Sequence, residues 1–184
     1  MNSNYSGIPI FDNNIISFKE ASFDRDNGEY MVASDVEVID FDKVKEAYVR
    51  EAKFKSKSTP ASSDALHIGK DGDYTLVEFK NGIIKNATQY GIHYKIYDSL
   101  LILSTFLNKT IDFHREKVRF ILVYNEEKNK RESSKSKVEI AKYIAGKAKK
   151  EIIEFDLERF QKYCFKQVST YTEQEFQDEF LSQC

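Results

Sequence analysis

The sequence lacks any stretch long and apolar enough to cross a bilayer. Its longest apolar run, around Leu100 to Leu107, is broken by Ser104 and Thr105. A membrane span needs roughly 20 apolar residues, so no membrane partner is expected. Cysteine is scarce: Cys164 and Cys184 are the only two, and their separation suits neither a disulfide scaffold nor a zinc site. A reducing, intracellular setting follows from that usage. The opening MNSNYSGIPIF has neither the basic nor the apolar region of a secretory signal. The expected location is therefore cytoplasmic, or a target cell if the protein is a delivered toxin. Two prolines, 41% apolar and 32% charged residues exclude fibrous and disordered classes. At 184 residues the chain fits one domain with a full core.

Neither sign of charge dominates, since the net charge is −2. Its distribution is uneven. Residues 12–42 carry nine acids, from Asp12 to Asp42, against Lys19 and Arg25. Residues 128–150 carry nine bases, from Lys128 to Lys150, against Glu132 and Glu139. That run, net +7 over 23 residues, suits a phosphate backbone or a solvated helix face equally.

Periodicity divides the chain. Residues 1–39 read as strands, IISFKEASF and EYMVASDVEVI, joined by a turn at Asn27-Gly28. Asp40 is placed to cap a helix running to about Lys55, with Phe41, Val44 and Tyr48 on one face. A hairpin follows: ALHI, a turn at Asp71-Gly72, then TLVEFK. The spacing predicts a long helix over 86–107 and a doubly covered strand in KVRFILVYN. A basic helix over about 136–149 and two further amphipathic helices make residues 126–184 the helical C-terminal part. Residues 40–125 form the central part, in the order helix, hairpin, helix, strand. That order belongs to an α/β fold with a mixed sheet sandwiched by helices.

The chemistry concentrates in SSDALHIGKDGDYTLVEFKNG. Residues two apart on a strand share a face, so Glu78 and Lys80 stand together while Val77 and Phe79 turn to the core. Asp64 opens the partner strand and falls opposite Glu78 to Lys80, within about two residues of register. Two adjacent carboxylates need a cation between them, and hard oxygen ligands select Mg2+ or Mn2+. Such an ion acidifies water and neutralises phosphate charge, and a neighbouring lysine can stabilise the transition state. No Ser-His-Asp set, glycine-rich phosphate loop or zinc spacing offers a competing chemistry.

Asp64, a thirteen-residue gap and Glu78-Phe79-Lys80 resemble the motif of the PD-(D/E)XK, or restriction-endonuclease-like, nuclease superfamily. The resemblance spans roughly residues 40–125. It implies an αβββαβ core and divalent-metal-dependent phosphodiester cleavage. Asp64, Glu78 and the main-chain carbonyl of Phe79 would be the metal ligands, and Lys80 the catalytic lysine. Ser63 stands where the family carries proline. Many members add a helical glutamate upstream, for which Glu51 extends the apolar stripe. One branch adds Gln-x-x-x-Tyr on the next helix; Gln89 matches, but His93 takes the tyrosine position and Tyr94 follows it. Two functions remain open. One is a nuclease acting on DNA or RNA in defence, mobile-element biology or as a toxin with a cognate immunity or inhibitor protein. The other is a non-catalytic immunity or regulatory protein that keeps the fold. The oligomeric state is left open, a homodimer included.

If the basic run tracks a phosphate backbone, each tenfold rise in salt lowers nucleic-acid affinity by about 0.9 log units per duplex phosphate contacted, or about 0.7 on single strands. Replacing Lys142, Lys147 and Lys149 with Glu should flatten that slope and weaken every sequence alike. An unchanged slope would return the run to a solvated face.

Overall fold

The hairpin announced by Asp71-Gly72 lies in the middle of a six-stranded mixed sheet. The structure is a computed structural model that describes residues 6–55, 58–130 and 152–184. Its first half contains α1 (Pro9–Asp12), β1 (Ile15–Ser17), α2 (Phe18–Ala21), β2 (Phe23–Asp24), β3 (Glu29–Tyr30), β4 (Glu37–Asp40) and α3 (Phe41–Glu51). Then come β5 (Ala65–Ile68), β6 (Tyr74–Lys80), α4 (Asn86–Leu107), α5 (Ile111–Lys117), β7 (Val118–Tyr124) and α6 (Glu126–Asn129). After residue 151 follow a 3-10 turn (Glu158–Phe160), β8 (Gln167–Thr172) and α7 (Glu173–Glu175), with π and 3-10 turns through Gln183. No helix among the described residues is long and apolar enough to cross a membrane.

The strand order is β1-β4-β5-β6-β7-β8. Pairing is antiparallel from β1 to β6 and parallel across β6-β7-β8. A parallel neighbour requires a crossover, and α4 supplies it between β6 and β7. The pleat then sorts the side chains into two cores. Leu76 of β6 and Phe120 and Leu122 of β7 pack with Ile92, Ile96 and Leu103 of α4. Val77, Phe79, Ile121 and Val123 turn to the other face, onto Phe18 and Phe176. Each fully buried aromatic or aliphatic side chain contributes about 1.5–3 kcal/mol, so β7 is held from both sides, as its continuous apolar sequence requires.

Several local signals act as read. The Asp40 side chain accepts the Lys43 N–H and caps α3, and α4 spans the predicted 86–107. The N-terminal strands are shorter than expected. IISFKEASF stops being a strand at Ser17, because Ser17 and Glu20 form a reciprocal capping box that starts α2. The Asn27-Gly28 turn joins only β2 to β3, with Gly28 at a φ of 67°. The C-terminal part is not purely helical: Gln167–Thr172 is the sixth strand, β8. Its hydroxyl-bearing residues Ser169, Thr170 and Thr172 are buried, so the polarity that disguised it faces inward. The basic helix expected over 136–149 lies outside the described residues.

At the start of β6, Asp73 is 2% exposed and ringed by cations. Arg119 Nη2 lies 2.7 Å away, Lys117 Nζ 3.5 Å, and Lys166 donates to the same carboxylate. Burial pushes the Asp73 carboxyl up, but the Lys166 hydrogen bond and the Arg119 and Lys166 charges outweigh it and hold it below the ordinary value. Because the folded value lies below the unfolded one, this stabilisation is complete above the ordinary carboxylate range and is lost as pH falls through the depressed value. Asp73→Asn should lower stability by about 1–3 kcal/mol at pH 7, since its partners are partly solvated. Urea unfolding at pH 7 and pH 3 checks this: the stability gap between the two proteins should be smaller at pH 3.

Candidate active site

The register of the central hairpin brings the candidate residues to one end of the sheet. Ala65 pairs with Val77, which sets Asp64 beside Glu78. The Asp64 N–H donates to the Val77 carbonyl at 3.0 Å, continuing the ladder one step past β5. Its side chain then replaces the next ladder bond, as Asp64 Oδ2 accepts the Phe79 N–H at 2.7 Å. An extended residue points its N–H and C=O to the same edge, so the Phe79 carbonyl shares that edge with the Asp64 carboxylate.

Glu78 follows Leu76 onto the α4 face and is fully buried. An unpaired charge there would be costly. Lys80 Nζ contacts Glu78 Oε1 at 2.7 Å. The second cation is Lys95 of α4, which the sequence reading did not include. Its Nζ donates to Glu78 Oε1 and Oε2 at 2.7 and 2.9 Å and to Asp64 Oδ1 at 3.1 Å. Asp64 and Glu78 thus meet on a single cation, the lysine ammonium. Burial and the Asp64 charge push the Glu78 carboxyl up to about 7, against the pull of Lys95 and Lys80. Burial alone would ease the proton off Lys95, but Glu78 and Asp64 outweigh it and hold Lys95 protonated above its ordinary range.

The rest of α4 explains why Lys95 arrives there. Lys95 and Asp98 are the only Lys, Arg, Asp or Glu residues in this 22-residue helix. With Ser99 they occupy one side of it, three and four residues apart. Asp98 Oδ2 accepts the Ala61 N–H at 2.8 Å, and Ser99 Oγ accepts the Ser63 N–H at 2.8 Å. The helix therefore clamps the loop that delivers Asp64. That polar set within an apolar helix was the available signal for Lys95.

Two expected residues stand apart. Glu51 is exposed at the far end of α3, and this corrects its assignment as a ligand. Phe41 N–H donates to the Asp64 carbonyl at 3.2 Å, so the start of α3 meets the site. Glu51 lies about 15 Å further along the axis at 1.5 Å per residue. The α3 acid nearest the cluster is Asp42, which accepts from Ser62 and Lys45 and feels the Lys95 charge. Gln89 is six residues before Lys95, about 120° away round α4, and makes no side-chain hydrogen bond to the cluster among the described residues. His67, His93 and His114 remain scattered, and His114 is buried against Ser104.

Among the described residues no three His, Cys, Asp or Glu side chains group for a metal. Two carboxylates and a carbonyl still suit an ion such as Mg2+, which keeps several waters and takes one or two protein carboxylates. Lys95 must move aside for it. In comparisons with known proteins, the chain matches no family model, no curated protein and no solved structure.

Exchange between ammonium and metal can be measured directly. Lys95→Met should lower the melting temperature without metal, because Glu78 stays buried with one cation fewer. Millimolar Mn2+ should then raise it more than in the wild type, by mass action on an uncontested site. Equal Mn2+ shifts in both proteins would contradict competition for the same carboxylates.

Proposed function

We propose that this chain is a Mg2+- or Mn2+-dependent nuclease of the PD-(D/E)XK kind, hydrolysing phosphodiester bonds in DNA or RNA. The observation that carries the reading is the meeting of Asp64 and Glu78 on one cation, with Lys80 alongside. The antiparallel β4-β5-β6 strands, the α4 crossover and parallel β7 support a restriction-endonuclease-like core, with one departure: β4 precedes α3, so only two strands stand between α3 and α4 where the implied αβββαβ order has three. The start of the basic run supports a nucleic-acid substrate, since Lys128 Nζ lies 3.1 Å from Asn81 Oδ1, one residue beyond Lys80.

On this reading Asp64, Glu78 and the Phe79 carbonyl would hold the ion, which would supply an acidified water and neutralise charge on the phosphate. The Asp64 carboxylate is oriented before any ligand arrives, because one oxygen is tied to the Phe79 N–H. Lys80 projects its ammonium from the strand end, where it can donate to the attacking water or to phosphate oxygens as charge builds. Lys95 keeps the two carboxylates together in the absence of metal. A cognate inhibitor protein, if the role is that of a toxin, would cover the same end of the sheet.

One observation favours a second reading. Asp64, Glu78, Lys80 and Lys95 form a neutral set that needs no metal, which suits an immunity or regulatory protein built on this fold. Cleavage assays separate the two. Lys80→Ala should lose about 10²–10³ in rate with Mg2+ while keeping its circular dichroism spectrum. Glu78→Gln should lose activity through weaker metal binding and recover part of it at high Mn2+, whereas Lys80→Ala should not. Wild-type protein that cleaves neither DNA nor RNA with either ion would favour the interaction protein.

A further inference from the structure

Beside the cluster, a cavity of about 280 Å3 opens between the β2–β3 hairpin and the end of β6. Phe23, Arg25 and Met31 form its outer wall, and Asp64, Lys80 and Asn81 its inner one. The wall is locked in place by Asn81, which is 7% exposed. Its Nδ2 donates to Asp24 Oδ2 at 2.8 Å and Glu29 Oε2 at 3.3 Å. Its Oδ1 accepts from Asn125 Nδ2 at 2.9 Å and Lys128 Nζ at 3.1 Å. One side chain thus bolts a hairpin of two-residue strands to the strand that carries Glu78 and Lys80.

The outer wall presents Phe23 and Arg25, with the exposed Asp26 next to Arg25 in the chain, and Tyr30 and Lys19 back Phe23 from outside the cavity. The Asp24 carboxylate is consumed within the turn by the N–H of Asp26 and by Asn27 Nδ2. Phe23 is 40% exposed and Tyr30 52% exposed, with ring centroids 4.7 Å apart. Lys19 Nζ lies 5.2 Å over the Tyr30 ring. Arg25 is exposed, and its guanidinium makes no hydrogen bond or ion pair among the described residues. An open aromatic face, a free guanidinium and Lys80 around one small cavity match the base and phosphate of a nucleotide. The volume suits one such unit.

We propose that the site takes single-stranded nucleic acid, lodging one unpaired nucleotide in this cavity with its base against Phe23 and its phosphate against Arg25. The proposal rests on the nuclease reading and narrows its substrate class. Binding and cleavage are therefore read separately. Fluorescence anisotropy of the full chain in EDTA, with labelled single-stranded DNA, single-stranded RNA and a duplex of one sequence, should show at least one single strand bound about tenfold more tightly than the duplex. Phe23→Ala and Arg25→Ala should each weaken that binding several-fold, and Phe23→Trp should preserve it. Added Mn2+ should bring cleavage with the same preference. A duplex bound and cut as well as either strand, with both alanine variants unaffected, would overturn the proposal and leave the nuclease reading standing. Single-strand binding that depends on Phe23 and Arg25 without any cleavage would support the cavity assignment and overturn the nuclease reading.

Discussion

Glu78 is a fully buried carboxylate, and the end of the sheet is built around neutralising it. Strand alternation after Leu76 gives it no route to solvent, so cations must come to it. Lys80 arrives from the same strand, two residues on. Lys95 arrives from the crossover helix, and with it Asp98 and Ser99, which hold the 61–63 loop. The loop in turn delivers Asp64, whose carboxylate caps the Phe79 N–H that the end of β5 leaves open. One buried charge therefore couples β5, β6, α4 and the loop preceding β5.

On the nuclease reading, the same constraint keeps the site poised for an incoming cation. Replacing a buried ion pair by apolar groups is often neutral for stability, whereas removing one partner is not. Four charged groups kept at a strand end thus suggest a use beyond holding the fold. On the nuclease reading, a divalent ion would take over the neutralisation from Lys95, whose ammonium already bridges the two carboxylates. The opposite end of β6 repeats the device around Asp73, but there three cations surround one acid and a second carboxylate, Asp71, shares Arg119. There too a pair of carboxylates meets on one cation, Arg119, but Asp71 is exposed whereas Asp64 and Glu78 are largely withdrawn from solvent.

Much of this was legible in the residues. Asp71-Gly72 and the period-two pattern of TLVEFK set the register that places Asp64 beside Glu78. Asp40, the stripe in 86–107 and the apolar run at 118–124 declared a cap, a helix and a covered strand. Lys95 was missed because a lysine one position from an apolar stripe reads as a solvated flank. Its meaning comes from the sheet beneath it, a non-local contact. Glu51 failed for the converse reason: the helical phase was right, but the helix begins at the site and ends away from it. β8 was hidden because QVSTYT buries hydroxyls, and only the neighbouring β7 makes that favourable. The capping box at Ser17 and Glu20 was a local signal that the alternation of IISF obscured.

On the nuclease reading, the Asp64–Glu78 pair is a seat for an exchangeable cation. Anomalous diffraction from crystals soaked in Mn2+ tests it most directly. The expected result is a peak about 2.1 Å from oxygens of both carboxylates, the spacing of hard octahedral sites, with the Lys95 ammonium displaced from Glu78. Mn2+ bound elsewhere or not at all, with Lys95 still against Glu78, would contradict it.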